Sequence, residues 1–423
     1  MPRPPVHDRD PRLWCAGLAL AFWGLLLANL AVPSADYFDE IHYIPAAREL
    51  LALDRFANRE HPLFGKELLA LSIGLLGDNA WGWRLLPSLA GMLTLYGAMR
   101  AMWFASASRY ATIACGVLIA SGFHLFVLSR IAMLDIFMLA AVALAYWQIA
   151  AAMREPERGR VRLAAAGVAL GLAIGAKWNA IPLVVLPGIA FLVLRFLAGR
   201  RNLLFSRRGM PVPGMTLIEA AVWLGVVPLL TYAATFLPGW FYAHDAIPGG
   251  LIEHHRFMLE LQEQVRKPHP YQSTWSQWVL NTRAIWFLYE NVDGAQRGVV
   301  FLGNPLTMWL GLPAVLWCAW QGLIRHQPAH GAAAVLYAAS LGMWIIAAKP
   351  IQFYYHYALP GLFLLGALAL ALDDLRRAGW RRTSGWTLAA SVALFVLFFP
   401  ILSALPLPTK GAFALWTWLP GWR

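Results

Sequence analysis

Apolar runs of about twenty residues recur along the chain, near 13–33, 84–105, 110–129, 131–152, 163–177, 180–197, 217–237, 299–323, 331–348, 357–372 and 386–405. A helix of about twenty apolar residues crosses a hydrocarbon core of about 30 Å, so this pattern predicts about eleven transmembrane helices, two of them short. Only two polar stretches are long, 34–83 and 238–298, and long loops are where membrane enzymes keep their chemistry. Within the first, 41–53 and 66–76 have amphipathic patterning and predict helices lying along the interface with their apolar faces toward lipid. In the second, Trp275, Trp278 and Trp286 follow one another at near-helical spacing, which predicts an interfacial helix anchored by tryptophan. The expectation is an all-α polytopic membrane protein, one domain over 1–423, with interfacial helices in its two long loops.

Composition agrees. Of 423 residues, 59% are hydrophobic and 13% charged, with a mean hydropathy of +0.55, more apolar surface than a water-soluble domain of this size could hide. With the N-terminus inside, the inner segments hold nineteen of the 34 basic residues, Arg3, Arg200 and Arg201 among them, and seven of the 22 acids, Asp8 included. The whole net charge of +12 (19 − 7) then lies inside and the outside is neutral, as the positive-inside rule expects. The basic balance therefore reports orientation and not nucleic-acid binding. Both long loops and the C-terminus fall outside, which in a bacterium means the periplasmic face of the inner membrane. The first apolar run lacks a small-residue cleavage site and is expected to be retained as a span. Cys15, Cys115 and Cys318 lie in expected spans without metal-ligand spacing, as packing residues would.

Chemistry concentrates just after the first span. Asp39, Glu40 and His42 stand in Tyr37-Phe38-Asp39-Glu40-Ile41-His42-Tyr43, with His61 and Lys66 in His61-Pro62-Leu63-Phe64-Gly65-Lys66. Acids in this position are also good caps for the 41–53 helix. More ionisable residues stand at the outer ends of spans, namely Arg84, Arg130, Asp135, Lys177 and His356. Each would be excused alone as a snorkelling or interfacial group. Their coincidence on one side points to a polar site at the membrane surface, because a charge at membrane depth costs a few kcal/mol. Glu253, His254 and His255 are metal-ligand types, but their spacing matches no standard site. No metal ligand is assigned; a divalent metal stays open as an alternative, though no residue spacing indicates one.

Taken in order, Phe38-Asp39-Glu40-Ile41-His42, His61-Pro62 with Lys66, Gly77-Asp78-Asn79 with Gly82-Trp83-Arg84-Leu85, Ser129-Arg130 with Leu134-Asp135, Gly171 through Trp178, His269-Pro270-Tyr271-Gln272-Ser273, Leu302-Gly303-Asn304-Pro305 and Tyr355-His356-Tyr357 resemble the motifs of the protein O-mannosyltransferases. These are multi-span glycosyltransferases of the GT-C fold that use polyprenyl-phosphate sugars. The resemblance implies an inverting transfer of a sugar, mannose foremost, from a polyprenyl-phosphate donor to serine or threonine hydroxyls of a protein; no cofactor is certain beyond that donor substrate. It implies Asp39 as base, with Glu40 and His42 shaping its hydrogen bonds. Lys66 and Arg130 would neutralise the departing phosphate, and His61, Arg84, Asp135, Lys177, Tyr355 and His356 would support the substrates. A phosphate leaves without acid assistance, so one base with cations suffices. Two departures stand out: Leu63 where the family commonly has a second proline, and Lys349-Pro350 where an arginine is usual before the tyrosine–histidine motif. The alternative is a related enzyme that moves a sugar or aminosugar to a lipid or envelope glycan. A transporter would require internal repeats and broken helices in matching halves, and neither is visible in the sequence.

Overall fold

A computed structural model describes residues 9–199, 202–264, 268–347, 349 and 351–423. Arg3, Asp8, Arg200, Arg201 and Pro350, which entered the charge and motif readings, lie outside the described residues. The helices are α1 (Arg12–Leu27), α2 (Glu40–Ala52), α3 (Phe64–Leu76), α4 (Ala80–Ser106), α5 (Arg109–Ala120), α6 (His124–Leu128), α7 (Leu134–Arg154), α8 (Gly159–Ala176), α9 (Ile181–Gly199), then α10 (Leu217–Ala221) and α11 (Val227–Ala234) joined by a π-helical turn. After them come α12 (Leu251–Gln264), α13 (Trp275–Val279), a hairpin of β1 (Ile285–Val292) and β2 (Ala295–Phe301), and finally α14 (Pro305–Leu323), α15 (Pro328–Ile346), α16 (Ala358–Arg377) and α17 (Arg381–Leu402).

Among the described residues, eight segments are long and apolar enough to cross a membrane: Leu134–Arg154, Pro156–Ala176, Trp178–Ala198, Leu217–Ala234, Pro305–Leu323, Pro328–Ile346, Tyr354–Arg377 and Arg381–Leu402. The other three expected spans correspond to α1, α4 and α5, which stand outside that set. The run expected over 110–129 breaks after Ala120, and the run expected from 299 begins as a helix only at Pro305. Helices α4, α7 and α8 pack side by side at the centre, and α14 and α16 form a second packed pair. Gly97 shows how closely α4 approaches α7: a Cβ there would lie 3.0–3.1 Å from the Ala143–Leu144 backbone. Small residues of this kind let helix backbones approach in a membrane, where lipid gives little hydrophobic drive to associate.

The first long loop is ordered by its ends. Gly77, at φ 87°, closes α3, and the Asn79 side chain accepts the N–H groups of Trp81 and Gly82 to start α4. Both α2 and α3 form within two residues of the expected bounds. Their apolar residues do not all face lipid. Tyr43, Ile44, Ala47 and Leu50 of α2 and Leu69 and Ile73 of α3 are buried in protein, leaving Ile41, Leu51, Leu71 and Leu75 exposed.

The second long loop corrects the all-α expectation. Trp275 and Trp278 lie in the single-turn α13, but Trp286 is on β1, its indole N–H bound to the Trp422 carbonyl at 2.9 Å. An antiparallel hairpin stands where the tryptophan spacing predicts a helix. Asp293 and Gly294 turn it with φ of 48° and 73°, a pairing that matches the twist of the flanking strands.

Candidate functional site

Glu40 and Arg84 form the foundation of the first loop. Both side chains are fully buried. Arg84 Nε and Nη2 bind Glu40 Oε1 and Oε2 at 2.8 and 2.7 Å, and its remaining N–H groups reach the carbonyls of Leu30, Pro33 and Ala35. Glu40 also accepts from the backbone N–H of Ala132 at 2.9 Å and of Tyr37 at 3.2 Å. Every donor of the guanidinium and every acceptor position of the carboxylate is thereby occupied. Glu40, expected to take part in catalysis, is bound on all sides and makes no hydrogen bond to the Asp39 side chain.

The neighbouring carboxylate is the opposite case. Asp39 precedes the first residue of α2, yet its side chain caps no backbone N–H. It makes no hydrogen bond or ion pair with any described residue, and it is half-buried, ringed by protein atoms while still touching solvent. Burial pushes its pKa up to about 6, opposed by Lys177, reinforced by Asp135, and opposed further by His42 and Lys349. Asp135, on the first turn of α7, binds Lys177 at 2.6 Å through Oδ2, while its buried Oδ1 has no partner. The Lys177 ammonium lies 5.0 Å from the centre of the Tyr355 ring. Tyr355 is in turn close enough to Asp39 and Asp135 to feel both charges. Lys177 breaks the backbone between α8 and α9 in extended conformation, which turns its side chain inward at the end of the span.

Lys349, regarded in the sequence only as a departure from an expected arginine, completes the cluster. It lies between α15 and the short turn Tyr354–Tyr357, and its ammonium has no hydrogen-bond or ion-pair partner among the described residues. Burial lowers its pKa to about 8, with Lys177 acting in the same sense and Asp135 and Asp39 opposing. The signal that could have found it is a lone cation at the outer end of a span, six residues before Tyr355.

The other expected residues take varied places. Lys66, buried on α3, donates to the carbonyls of Asn58 and His61 at 2.6 and 2.9 Å and so ties down the loop ahead of its helix. Its burial brings the pKa to about 7. Arg130 donates to the carbonyls of Leu26, Ala28 and Asn29. It holds the end of α1, where Asn29 turns at φ 54°. The geometry thus commits both cations expected at the phosphate to backbone oxygens. His61 packs edge-on to Tyr43, ring centroids 5.9 Å apart, and burial drives its pKa well below the usual histidine range. His42 is exposed beside Asp39. His356 stacks on Trp344 at 3.9 Å and accepts the Phe353 N–H at Nδ1, which fixes the turn that carries Tyr355. His255 is bound by Tyr232 and the Leu251 carbonyl, and both ring nitrogens of buried His254 lack partners. Among the described residues no three His, Cys, Asp or Glu side chains converge as a metal site.

Comparisons with known proteins identify the family and the fold. The family model of dolichyl-phosphate-mannose-protein mannosyltransferases matches residues 74–242, and that of the C-terminal four-span region of protein O-mannosyltransferases matches 249–422. A polyprenol-phosphate-mannose–protein mannosyltransferase of Mycolicibacterium smegmatis is 28% identical over 93% of this chain and 90% of its own. Its namesake in Mycobacterium tuberculosis is 25% identical over 94% and 89%. The solved Saccharomyces cerevisiae protein O-mannosyltransferase Pmt1–Pmt2 complex, bound to its sugar donor, shares the fold with a TM-score of 0.82, covering 99% of this chain and 93% of that one at 15% identity. With both halves of the chain matched and the relatives aligned almost end to end, the chain belongs to the protein O-mannosyltransferase family of membrane glycosyltransferases.

Proposed function

We propose that the protein transfers mannose, with inversion, from a polyprenyl-phosphate donor to serine or threonine hydroxyls of proteins at the periplasmic face of the bacterial inner membrane. The observation that carries this reading is the half-buried, unpartnered Asp39 carboxylate facing two lysines at the outer ends of helices. Asp39 takes the proton of the acceptor hydroxyl as its oxygen attacks the anomeric carbon. The bond from that carbon to the phosphate oxygen breaks on the opposite side, and the electron pair leaves with the polyprenyl phosphate. Lys349 and Lys177 meet the charge on the departing phosphate as preorganised cations. Asp135 holds Lys177 and keeps one oxygen for a sugar hydroxyl. Lys66, Arg130, Arg84 and Glu40 build the walls. The names of the relatives support the donor and a protein acceptor. The proposed topology has eleven spans, with α1, α4 and α5 joining the eight apolar segments, and both long loops outside.

Mass spectrometry of envelope proteins and lipids with and without the gene tests the reaction. Loss of hexose increments from serine- and threonine-containing peptides is the expected result. Loss from a lipid or glycan instead would select the alternative acceptor. For sidedness, cysteines placed singly at Ala57 and Gln262 should react with an impermeant thiol reagent on intact spheroplasts, and one at Gly159 only after lysis. Labelling of Gly159 alone from outside would overturn both the topology and the donor.

A further inference from the structure

The hairpin of the second loop reaches over the segment that carries Asp39 and holds it at two points. At its tip, the Asp293 carboxylate accepts the Ser34 backbone N–H at 2.8 Å and its hydroxyl at 2.5 Å. On β1, Phe287 lies flat against Phe38, ring centroids 4.0 Å apart and planes 17° from parallel. Phe287 is itself backed by Phe301 of β2 at 5.4 Å, and the Phe38 ring meets Tyr355 edge-on at 5.9 Å. Below the segment, Arg84 grips the Pro33 and Ala35 carbonyls and both oxygens of Glu40.

Phe38 is the residue directly before Asp39, and its φ is 53°. A bulky side chain in the left-handed region is strained and persists only where its surroundings hold it. Here the stack on Phe287 is the closest ring contact that holds it, beside the Tyr355 edge and the backbone hydrogen bonds from Ile41 to Phe38 and from Glu40 to Tyr37. Relaxation of Phe38 to an ordinary φ would rotate the chain immediately ahead of Asp39 and swing its carboxylate away, since Glu40 on the other side is immobile.

We propose that Phe287 is a positioning residue for the transfer: its ring keeps Phe38 in the left-handed conformation and so aims the Asp39 carboxylate at the acceptor hydroxyl. This rests on the assignment of Asp39 as base. The groups facing Asp39 are His42 and Tyr43 of α2, Asp135 of α7, Lys177, Lys349 and Tyr355. None of them belongs to the hairpin, so loss of the ring changes the position and hydration of the carboxylate without removing a charge. Water entering beside Asp39 relieves the burial that raises its pKa, and the acid limb of the rate profile moves down.

The test uses the full-length protein in lipid nanodiscs with synthetic polyprenyl-phosphate mannose and a serine/threonine peptide. Phe287→Ala should lower kcat on the order of 10²-fold, the scale of a misplaced catalytic group. Donor KM should stay within about twofold, and the acid limb of kcat/KM should shift to lower pH, since mispositioning and hydration act on the base alone. Phe287→Tyr should restore most of kcat, with Phe287→Leu between the two. Unchanged kcat and acid limb in folded Phe287→Ala would overturn the proposal, as would a loss confined to donor KM. If Phe287→Ala does not fold, Asp293→Ala frees the exposed tip of the same hairpin. It should then show a smaller loss of kcat with the same pH shift, and an unaltered profile would overturn the proposal. Asp39→Asn run alongside separates the two claims: turnover retained there removes the base itself, whereas an inactive Asp39→Asn beside a fully active Phe287→Ala removes only the positioning role.

Discussion

Asp39 and Glu40 are adjacent carboxylates in the same loop, and the structure gives them opposite circumstances. Glu40 is sealed, with both oxygens doubly bound and its partner Arg84 using every donor. The Asp39 carboxylate accepts nothing from any described residue and sits among groups whose hydrogen-bonding capacity is also incomplete, Asp135 Oδ1 and the Lys349 ammonium. The same division runs through the cations. Arg84 is bound to Glu40 and to carbonyls, and Arg130 and Lys66 to carbonyls, whereas Lys349 has no partner among the described residues and Lys177, paired only with Asp135, lies with it near the open carboxylate. On the proposed reading, saturation, more than burial or charge, separates framework from chemistry: a fully bonded ion is stable where it is and has nothing left to offer a substrate.

The largest effect that could break this comparison is at Asp39. Asp39→Asn keeps the shape and removes the base, so turnover of purified enzyme should fall about 10²–10⁴-fold, with membrane insertion and donor binding unchanged. More than a tenth of wild-type turnover would move the base elsewhere. Glu40→Gln should behave in the other way. It leaves the buried Arg84 charge without its counter-ion, a loss of about 3–5 kcal/mol, read as lower thermal stability and yield. A folded, normally stable Glu40→Gln that had simply lost turnover would reverse the two roles.

Among the cations, Lys349→Ala should weaken use of the donor by about 1.5–3 kcal/mol, the worth of a charged hydrogen bond, while Lys66→Ala should act on thermal stability and leave donor KM near wild type. The reverse pattern in donor titrations would return the phosphate to Lys66. The smallest effect is on pH. Asp39 accepts a proton only when ionised, so its raised pKa places the acid limb near pH 6. The Lys349 charge is present below its lowered pKa and lost above it, which places the alkaline limb near pH 8. Lys349→Arg should push the alkaline limb upward and leave the acid limb in place, and a fixed alkaline limb would show that another group sets it.

Where sequence reading succeeded and failed follows from range. The α2 and α3 helices were legible because their amphipathic pattern and the Gly77–Asn79 stop and start are local. The hairpin was not, because tryptophan spacing at 275, 278 and 286 fits a helix as well as a turn followed by a strand, although Asp293-Gly294 carried the turn signal. Arg130 and Lys66 read as free cations because nothing along the chain reveals that their donors find carbonyls about a hundred and eight or fewer residues away respectively. Lys349 was set aside because a motif comparison registers a mismatch and not a position.

The sequence by itself determined that this chain is apolar enough to cross a membrane repeatedly, and its charge pattern carries the proposed orientation, in which the net charge faces inside and the acids, histidines and lysines of the candidate site share the outer surface. Those properties depend on residue type and local order, through the cost of exposing polar groups to hydrocarbon. Only the tertiary structure decided which of two neighbouring carboxylates is fully hydrogen-bonded, that Lys177 pairs with Asp135 while the Lys349 ammonium is left without a partner among the described residues, and that a strand from the second loop leans on the first. Each of these depends on which atoms meet across long stretches of chain, and hydrogen-bond saturation is a property of that meeting.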